Sequence, residues 1–398
     1  MRRRISRRAL TIMGAAGLLF IAASTAQAGW LFVLAAGVLA LVVASLFTRQ
    51  NLASAVIERS APRRISVGDE VRVGLRVSNP GRRSLPLMRL EDDFGAFEPS
   101  VVAVERLRKG ATAHIELVKR AHRRGVFDWG QVTLRSGAPF GFATSSRSVT
   151  VATQTTVVPR YVDLRSFPIL EPSSSPSDVL HERARTGAGQ EYIGVREYRP
   201  GDPRRAVHWR STARLGRLVV REFAEEVQTR IGLVLAGGDV GTPPDSAFEM
   251  LVGAAASIGI YSLHTGHPID ALRATPSGEI AHLAEADRFG LLDWLAGAEP
   301  SDVALTPVVK QALGRVGRRG TVVLLAPTTG AAGADIADAV RAVQNAGSRA
   351  IVVAALGATW AQDDGATTEE NGVLQALAGG RAPVMRIARG QELAACLG

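Results

Sequence analysis

Residues Gly189–Val227 read GQEYIGVREYRPGDPRRAVHWRSTARLGRLVVREFAEEV. The stretch interleaves Glu191, Arg196, Glu197, Arg199, Asp202, Arg204, Arg205, Arg210, Arg214, Arg217, Arg221 and Glu222 with the rings of Tyr192, Tyr198, Trp209 and Phe223. A solvated helix would repeat its charges at the helical period and leave an apolar stripe, whereas here rings stand directly beside charges of both signs. Such a segment needs partners. Asp202, following Gly201, is expected to cap a short helix, which would bring Arg210 and Arg214 to one face at i, i+4. Trp209 would then pack on a sheet, with the guanidiniums paired to Glu191, Glu197, Glu222, Glu225 or Glu226. Two uses fit this pattern: a latch that fastens the segment to the domain after it, or an exposed surface for an acidic protein partner.

Downstream of this stretch the reading is α/β. Ile231–Ala236, Thr321–Ala326 and Ala350–Leu356 are near-continuous apolar runs of strand length, and Ala247–Leu263 and Ala334–Ala346 read as helices between them. Apolar strands alternating with helices predict a parallel sheet covered on both faces.

The residues Tyr198–Arg214, followed by Leu218–Phe223, resemble the signature of the bacterial domain of unknown function 58. That pattern runs roughly R-x-Y-x-x-G-D-x-x-R-x-I-x-W-x-x-[ST]-A-R and continues into a strand and an acidic pair. The resemblance implies a membrane-anchored protein whose last half is similar to a von Willebrand factor type A domain. It also implies a partner, a MoxR-type AAA+ ATPase. A type A domain would carry Asp-x-Ser-x-Ser after its first strand, with Thr and Asp from later loops, because Mg²⁺ requires several oxygen ligands in octahedral array. This chain has Leu235-Ala236-Gly237-Gly238-Asp239 there, with Ala236 at the usual aspartate, and Ala326-Pro327 after the later strand. Asp239 and Ser246 remain nearby. The expectation is a degenerate, Rossmann-like type A domain with no metal and no other cofactor. Pro139-Phe140-Gly141-Phe142 is similar to a turn of the same family, with Ala138 where the family has aspartate.

Before the signature, residues 161–188 are rich in Pro and Ser and read as a linker. Between Ile57 and Pro159 the pattern is short and alternating. Glu70-Val-Arg-Val-Gly-Leu-Arg-Val-Ser alternates at period two and ends at Asn79-Pro80-Gly81, as a half-buried strand should. Similar runs at Leu87–Leu90, Val101–Leu107, Ala113–Arg120, Gly130–Ser136 and Ser148–Val158 predict an immunoglobulin-like β-sandwich.

The first 50 residues contain six arginines and no Asp or Glu, and two uncharged runs, Leu10–Ala28 and Gly29–Phe47. Each is close to the roughly 20 residues that cross a bilayer as a helix. Five arginines before the first run hold the N-terminus in the cytoplasm, and a transmembrane hairpin returns the chain there. Ala26-Gln27-Ala28 also resembles a signal-peptide cleavage site. Cleavage there would leave the second run as a stop-transfer segment and the bulk again cytoplasmic. The expected division is therefore an anchor at 1–50, the β-sandwich at 51–160, the linker at 161–188 and the signature with its α/β domain at 189–398, in the cell membrane.

Charge and chemistry narrow the function. The net charge is +10, but beyond residue 50 the chain holds 41 basic against 37 acidic side chains, without a basic stripe, which argues against a nucleic-acid binder. The single cysteine, Cys396, excludes an internal disulfide. His114 and His122 lack companions at metal-ligand spacing, His264 and His267 are three apart at a helix end without a third ligand, and no P-loop or dinucleotide fingerprint occurs. A hydrolase would have to be built from Glu191, Glu197, Asp202 and His208, with Asp202 orienting His208 as base. Arginines flank every one of these acids, so salt bridges are the plainer use. The leading expectation is a non-enzymatic, cytoplasm-facing protein-binding or assembly factor, and the alternative is that hydrolase.

Overall fold

The computed structural model describes residues 2–398 except 27, 48–51, 93–96, 98–99, 138–139, 170–190, 201, 203, 225–228, 318–319 and 362–363. Gln27, Ala138, Gly201, Glu225, Glu226 and most of the 161–188 segment thus lie outside the described residues, and Glu191, Tyr192 and Glu222 are described by backbone alone. The chain forms two compact units, Met1–Arg160 with Leu292–Gly297, and Tyr161–Leu291 with Ala298–Gly398.

The first unit opens with a strand, β1 (Arg2–Ile5), and two apolar helices, α1 (Arg7–Ala26) and α2 (Gly29–Phe47). Helix α1 starts three residues ahead of the uncharged run because the Ser6 hydroxyl accepts the Ala9 amide at 3.2 Å and supplies a cap. Leu18, Ile21, Trp30 and Val33 stand outward from these helices. Phe20 meets Phe32 edge to face, with centroids 5.2 Å apart. Of these, Arg8–Ala26 is long and apolar enough to cross a bilayer, and Gly29–Ser45 is a shorter apolar helix.

Eight further strands follow: β2 (Val56–Ser60), β3 (Arg64–Ser66), β4 (Glu70–Ser78), β5 (Met88–Asp92), β6 (Ser100–Val104), β7 (Thr112–Arg120), β8 (Gly125–Ser136) and β9 (Ala143–Val158). One sheet has the order β2-β4-β7, and the other β1-β9-β8-β5-β6 with β3 also on β9. In β4, Val71, Val73, Leu75 and Val77 point inward while their neighbours face out. They share one core with Leu90 of β5, Val132 and Leu134 of β8 and Val157 of β9, so the two sheets close on each other. Within it Asp92 is buried between Arg59, at 2.5 Å, and Lys119, at 3.3 Å. β1 runs antiparallel along β9, with Arg2 opposite Ser146 and Ile5 opposite Ala143.

The second unit begins with an antiparallel pair and a short helix, β10 (Glu191–Glu197), α3 (Trp209–Leu215) and β11 (Val219–Ala224). Then come β12 (Ile231–Leu235), the small β13 (Gly241–Thr242) and β14 (Asp245–Ser246), α4 (Ala247–His264), β15 (Ile269–Ala274), β16 (Ile280–Leu283), α5 (Arg288–Ala296) and α6 (Leu305–Val316). The remainder is β17 (Thr321–Pro327), α7 (Gly330–Asn345), β18 (Arg349–Ala355), α8 (Ala358–Ala361), α9 (Asp364–Ala378), β19 (Val384–Ile387) and α10 (Leu393–Leu397). The sheet order is β16-β15-β12-β17-β18-β19, parallel throughout except for the β16 hairpin edge. Every residue of β12 and β17 is buried. One face, with Val234, Leu272, Val322, Leu324 and Val352, packs on Val308 and Val309 of α6 and on Ile336 and Val340 of α7. Burying a Leu or Val side chain of this kind contributes about 1.5–3 kcal/mol, which is why continuous apolar strands specify this sheet. β15 escapes that reading because Asp270 and Arg273 interrupt it. Asp270 is nonetheless buried, bound to Arg230 at 3.0 Å and to the Glu285 amide at 3.2 Å.

Candidate functional site

The sheet order places the first strand, β12, centrally and sends the chain outward in both directions, which creates a switch point at the carboxyl ends of β12 and β17 where open α/β sheets take ligands. Here that crevice is filled from within. Gly237, at φ 130°, lies so close to Pro327 that a Cβ would overlap the proline ring. The first amide of α7, Gly330 N, donates to Glu369 Oε1 at 3.1 Å, so a carboxylate of the chain stands where a phosphate would sit. Thr328 Oγ1 lies 2.8 Å from Glu370 Oε2 and accepts the Gly357 amide at 3.0 Å. Ser246, weighed above as a leftover metal ligand, is the N-cap of α4 and accepts the Glu249 amide. Neighbouring Asp245 is held by Arg389 Nε at 2.8 Å and Trp360 Nε1 at 3.2 Å, and chiefly the Arg389 bond lowers its pKa. Among the described residues no three His, Cys, Asp or Glu side chains converge.

The signature stretch has a different construction. β10 and β11 pair with Val195 opposite Arg221 and Arg196 opposite Val220, with a bulge between Tyr192 and Gly194. Between the strands the chain turns at Arg199–Asp202, Asp202 N donating to Arg199 O at 3.0 Å. It then makes one 3₁₀ turn at Arg204–Ala206, followed by α3. Asp202 sits under this turn. Its carboxylate receives both terminal nitrogens of Arg196, at 2.7 and 2.8 Å, and the Arg199 amide at 2.8 Å. Such a two-point charge-assisted pair fixes direction as well as distance. The Arg196 bond, followed by the Arg199 amide, holds the Asp202 pKa down at about 2.

The expected cap is therefore reassigned. Asp202 caps no helix, because its oxygens are taken by Arg196 and Arg199. The N-cap of α3 is His208, whose Nδ1 accepts the Ser211 amide at 3.3 Å and lies 2.7 Å from Ser211 Oγ. Asp202 and His208, the orienter and base weighed for a hydrolase, each bind another residue, Asp202 to Arg196 and His208 to Ser211. At its other end α3 stops at Gly216, φ 67°, whose amide closes on Thr212 O at 3.0 Å. That left-handed residue reverses the chain into β11.

Three contacts bind this loop to β11. His208 N donates to Val219 O at 2.8 Å, Val219 N donates to Thr212 Oγ1 at 3.1 Å, and Val207 bridges Val220. Val207, Val219 and Val220 form the buried apolar seam beneath. Trp209 does not join it. Contrary to the expectation that it packs on a sheet, its side chain is 67% exposed, and Leu215 and Leu218 are also exposed. The reason is register: His208 occupies the cap and Val207 the seam, so the next residue, the first of α3, turns outward. Arg210 and Arg214 also project to solvent, and among the described residues neither has an ion-pair partner. Glu197 pairs with Arg217 at 3.6 Å, while Arg204 and Arg221 are exposed and Tyr198 is half-buried, its amide bonded to Leu218 O at 2.9 Å. The two hinges of this module, Arg196 with Asp202 and His208 with Ser211, escaped sequence reading. The first is an i, i+6 pair across a Pro-Gly turn, and the second uses a residue type seldom found at N-caps.

A family model described as "Protein of unknown function DUF58" matches residues 194–356, from the middle of β10 to just past β18. No curated protein matches the chain. Among solved structures, the chain is similar to a CARDB domain from Pyrococcus furiosus, at 10% identity and TM-score 0.18, covering 25% of this chain and 94% of that one. It is similar to a β-glucosidase from Listeria innocua at 13% identity and TM-score 0.15, covering 25% and 16%. A GH20 exo-β-N-acetylglucosaminidase from Vibrio harveyi shares 8% identity at TM-score 0.18, covering 76% and 57%. At these scores the likenesses carry no argument about fold or activity.

Proposed function

We propose that this chain is a membrane-anchored, cytoplasm-facing binding protein that captures an acidic protein partner through residues 191–224 and performs no chemistry itself. The observation that carries the reading is Trp209, 67% exposed at the start of α3 behind the His208 cap, with Arg210 and Arg214 beside it in sequence and without acidic partners among the described residues. Exposed Trp and Arg on a fixed backbone are the residue types that dominate interface energetics, because little freedom is lost when they bind. Following the family resemblance, the partner is a MoxR-type AAA+ ATPase, and the α/β domain is a degenerate von Willebrand factor type A-like scaffold. The 3-2-1-4-5-6 order of its strands supports that scaffold. The β unit serves as an immunoglobulin-like spacer.

The anchor in this reading is the α1–α2 hairpin in the cell membrane. The pairing of β1 with β9 supports it: residues 2–5 and the β unit then share one side of the bilayer, as two crossings require. The arginines at 2–4, 7 and 8 assign that side to the cytoplasm. In spheroplasts treated with external protease, residues 52–398 should survive intact; their digestion would reverse the orientation.

The partner reading is tested with the full chain in nanodiscs and the purified MoxR-type ATPase of the same organism, with and without ATP. Trp209→Ala should weaken binding at least about tenfold at an unchanged melting temperature. Absence of binding, or binding that Trp209→Ala leaves intact, would sink the proposal.

A further inference from the structure

The β8–β9 hairpin has an apolar tip. From Ser136 to Ser146 the chain carries no charge. Within that stretch Phe140 is 51% exposed and stacks on Phe142, with ring centroids 6.0 Å apart. Gly141 N closes the turn on Gly137 O at 2.6 Å, and a Cβ on Gly137 would stand only 3.2 Å from Gly141 Cα. A turn this tight presents its rings with little freedom left to lose on binding. Leu87, also exposed, adjoins the turn, its carbonyl accepting the Ser136 hydroxyl at 2.7 Å.

This tip lies where the anchor joins the β unit. β1 runs toward it antiparallel to β9, with Ile5 opposite Ala143, and Ser6 N donates to Phe142 O at 2.9 Å just before α1 begins at Arg7. The chain returning from α2 is tied to the same stretch, because Arg147 Nη1 donates to the carbonyls of Leu52, Ala53 and Ala55 at 2.8, 2.7 and 2.9 Å. Both ends of the α1–α2 pair are thus fixed to residues 142–147. Phe140 is two residues from Phe142, at most about 7 Å. Leu10, where the uncharged run starts, is four residues along α1 from Ser6, about 6 Å.

We infer that Phe140 and Phe142, with Leu87 beside them, rest in the headgroup region of the bilayer, so that the hairpin tip is a second contact of the β unit with lipid; the inference rests on the anchor reading above. Aromatic and Leu side chains at that depth bury apolar surface without spanning the membrane. Any protein covering the rings would have to enter beside the helices at the bilayer surface, whereas lipid is already there. A third point of contact fixes the tilt of the β unit on the membrane, which two helices by themselves do not.

The test uses the full chain with Cys396→Ser, so that one thiol can be placed at a time, in phosphatidylcholine nanodiscs whose lipids carry spin labels either near the headgroup or deep in the acyl chains. An environment-sensitive fluorophore is attached at Phe140→Cys, Leu87→Cys, Leu18→Cys in α1, or Val126→Cys, an exposed position at the far end of β8. The deep label should quench position 18, the shallow label positions 140 and 87, and neither should quench 126. With Phe140→Ser and Phe142→Ser together, the probe at 87 should lose its quenching while position 18 keeps it. The probe at 87 on the native tip decides the matter by itself if that double variant disturbs the unit. Quenching at 18 without quenching at 140 and 87 overturns the tip contact and leaves the anchor standing; absence of quenching at 18 removes the anchor and the inference with it. Shielding of position 140 from dissolved iodide without lipid quenching would give the tip to a second copy or another protein, and would also overturn it.

Discussion

Two sheets of the second unit, the six-stranded one and the β10–β11 ribbon, are held by different forces. The six-stranded sheet is a dry stack in which β12 and β17 are buried at every position and two helical layers exclude water. The β10–β11 ribbon has a seam of three valines, and is otherwise organised by the two-point Arg196–Asp202 pair, an exposed Glu197–Arg217 pair, one histidine cap and one left-handed glycine. Apolar burial is large and non-directional; the ribbon's contacts are small and directional. The first arrangement makes a scaffold. The second can hold a tryptophan in water at a defined angle, which a collapsing apolar core would not permit.

The contrast breaks most visibly in the scaffold. Leu233→Ala, in the centre of β12, should lower stability by about 2–5 kcal/mol, seen as an earlier cooperative transition in denaturant titration of the solubilised protein. In the ribbon, Gly216→Ala forces a Cβ into the left-handed region and should cost about 1–2 kcal/mol, confined to exchange of amides in 191–224, with the main transition unmoved. Movement of the main transition would mean that ribbon and scaffold unfold together. Acid sharpens the comparison further. The Asp202 pKa is depressed from 3.8 to about 2, so its contribution is complete above the ordinary value and is lost as pH falls through about 2. A carboxyl-carbon NMR titration should find that midpoint, and Arg196→Gln should raise it toward the ordinary value. The smallest effect on folding belongs to Trp209→Ala, expected within about 0.5 kcal/mol of the parent by thermal denaturation, since the ring is mostly in solvent. A larger loss would restore the latch.

Legibility in the sequence follows the same division. Glu70–Ser78 coincides with β4, and Ile231–Ala236 and Thr321–Ala326 each lie within a residue of a strand end, because periodicity and burial act locally and repeat along the chain. Strand β15 was hidden by Asp270, a charge made tolerable by Arg230 forty positions away in sequence. In the signature the important residues were visible as a group, yet their roles were not. Asp202 next to Gly201 has the local look of a helix cap, and only the turn at Arg199–Asp202, which folds the chain back on the end of β10, brings it to Arg196. Trp209 has the composition of a core residue, and its outward turn is decided by which neighbour, Val207 or His208, enters the seam.

The strand β1 has a consequence for biogenesis. Its residues are made before the rest of the β unit, whereas their partners Ala143–Ser146 on β9 are among the last of that unit. Until then residues 143–146 of β9 lack their β1 neighbour, and the pairing, between residues some 140 positions apart, is a contact of high sequence separation. The pairing thus ties the two ends of the unit together: under the proposed hairpin, a molecule whose residues 2–5 lay across the membrane from β9 would lack this neighbour along 143–146 and expose that stretch of strand.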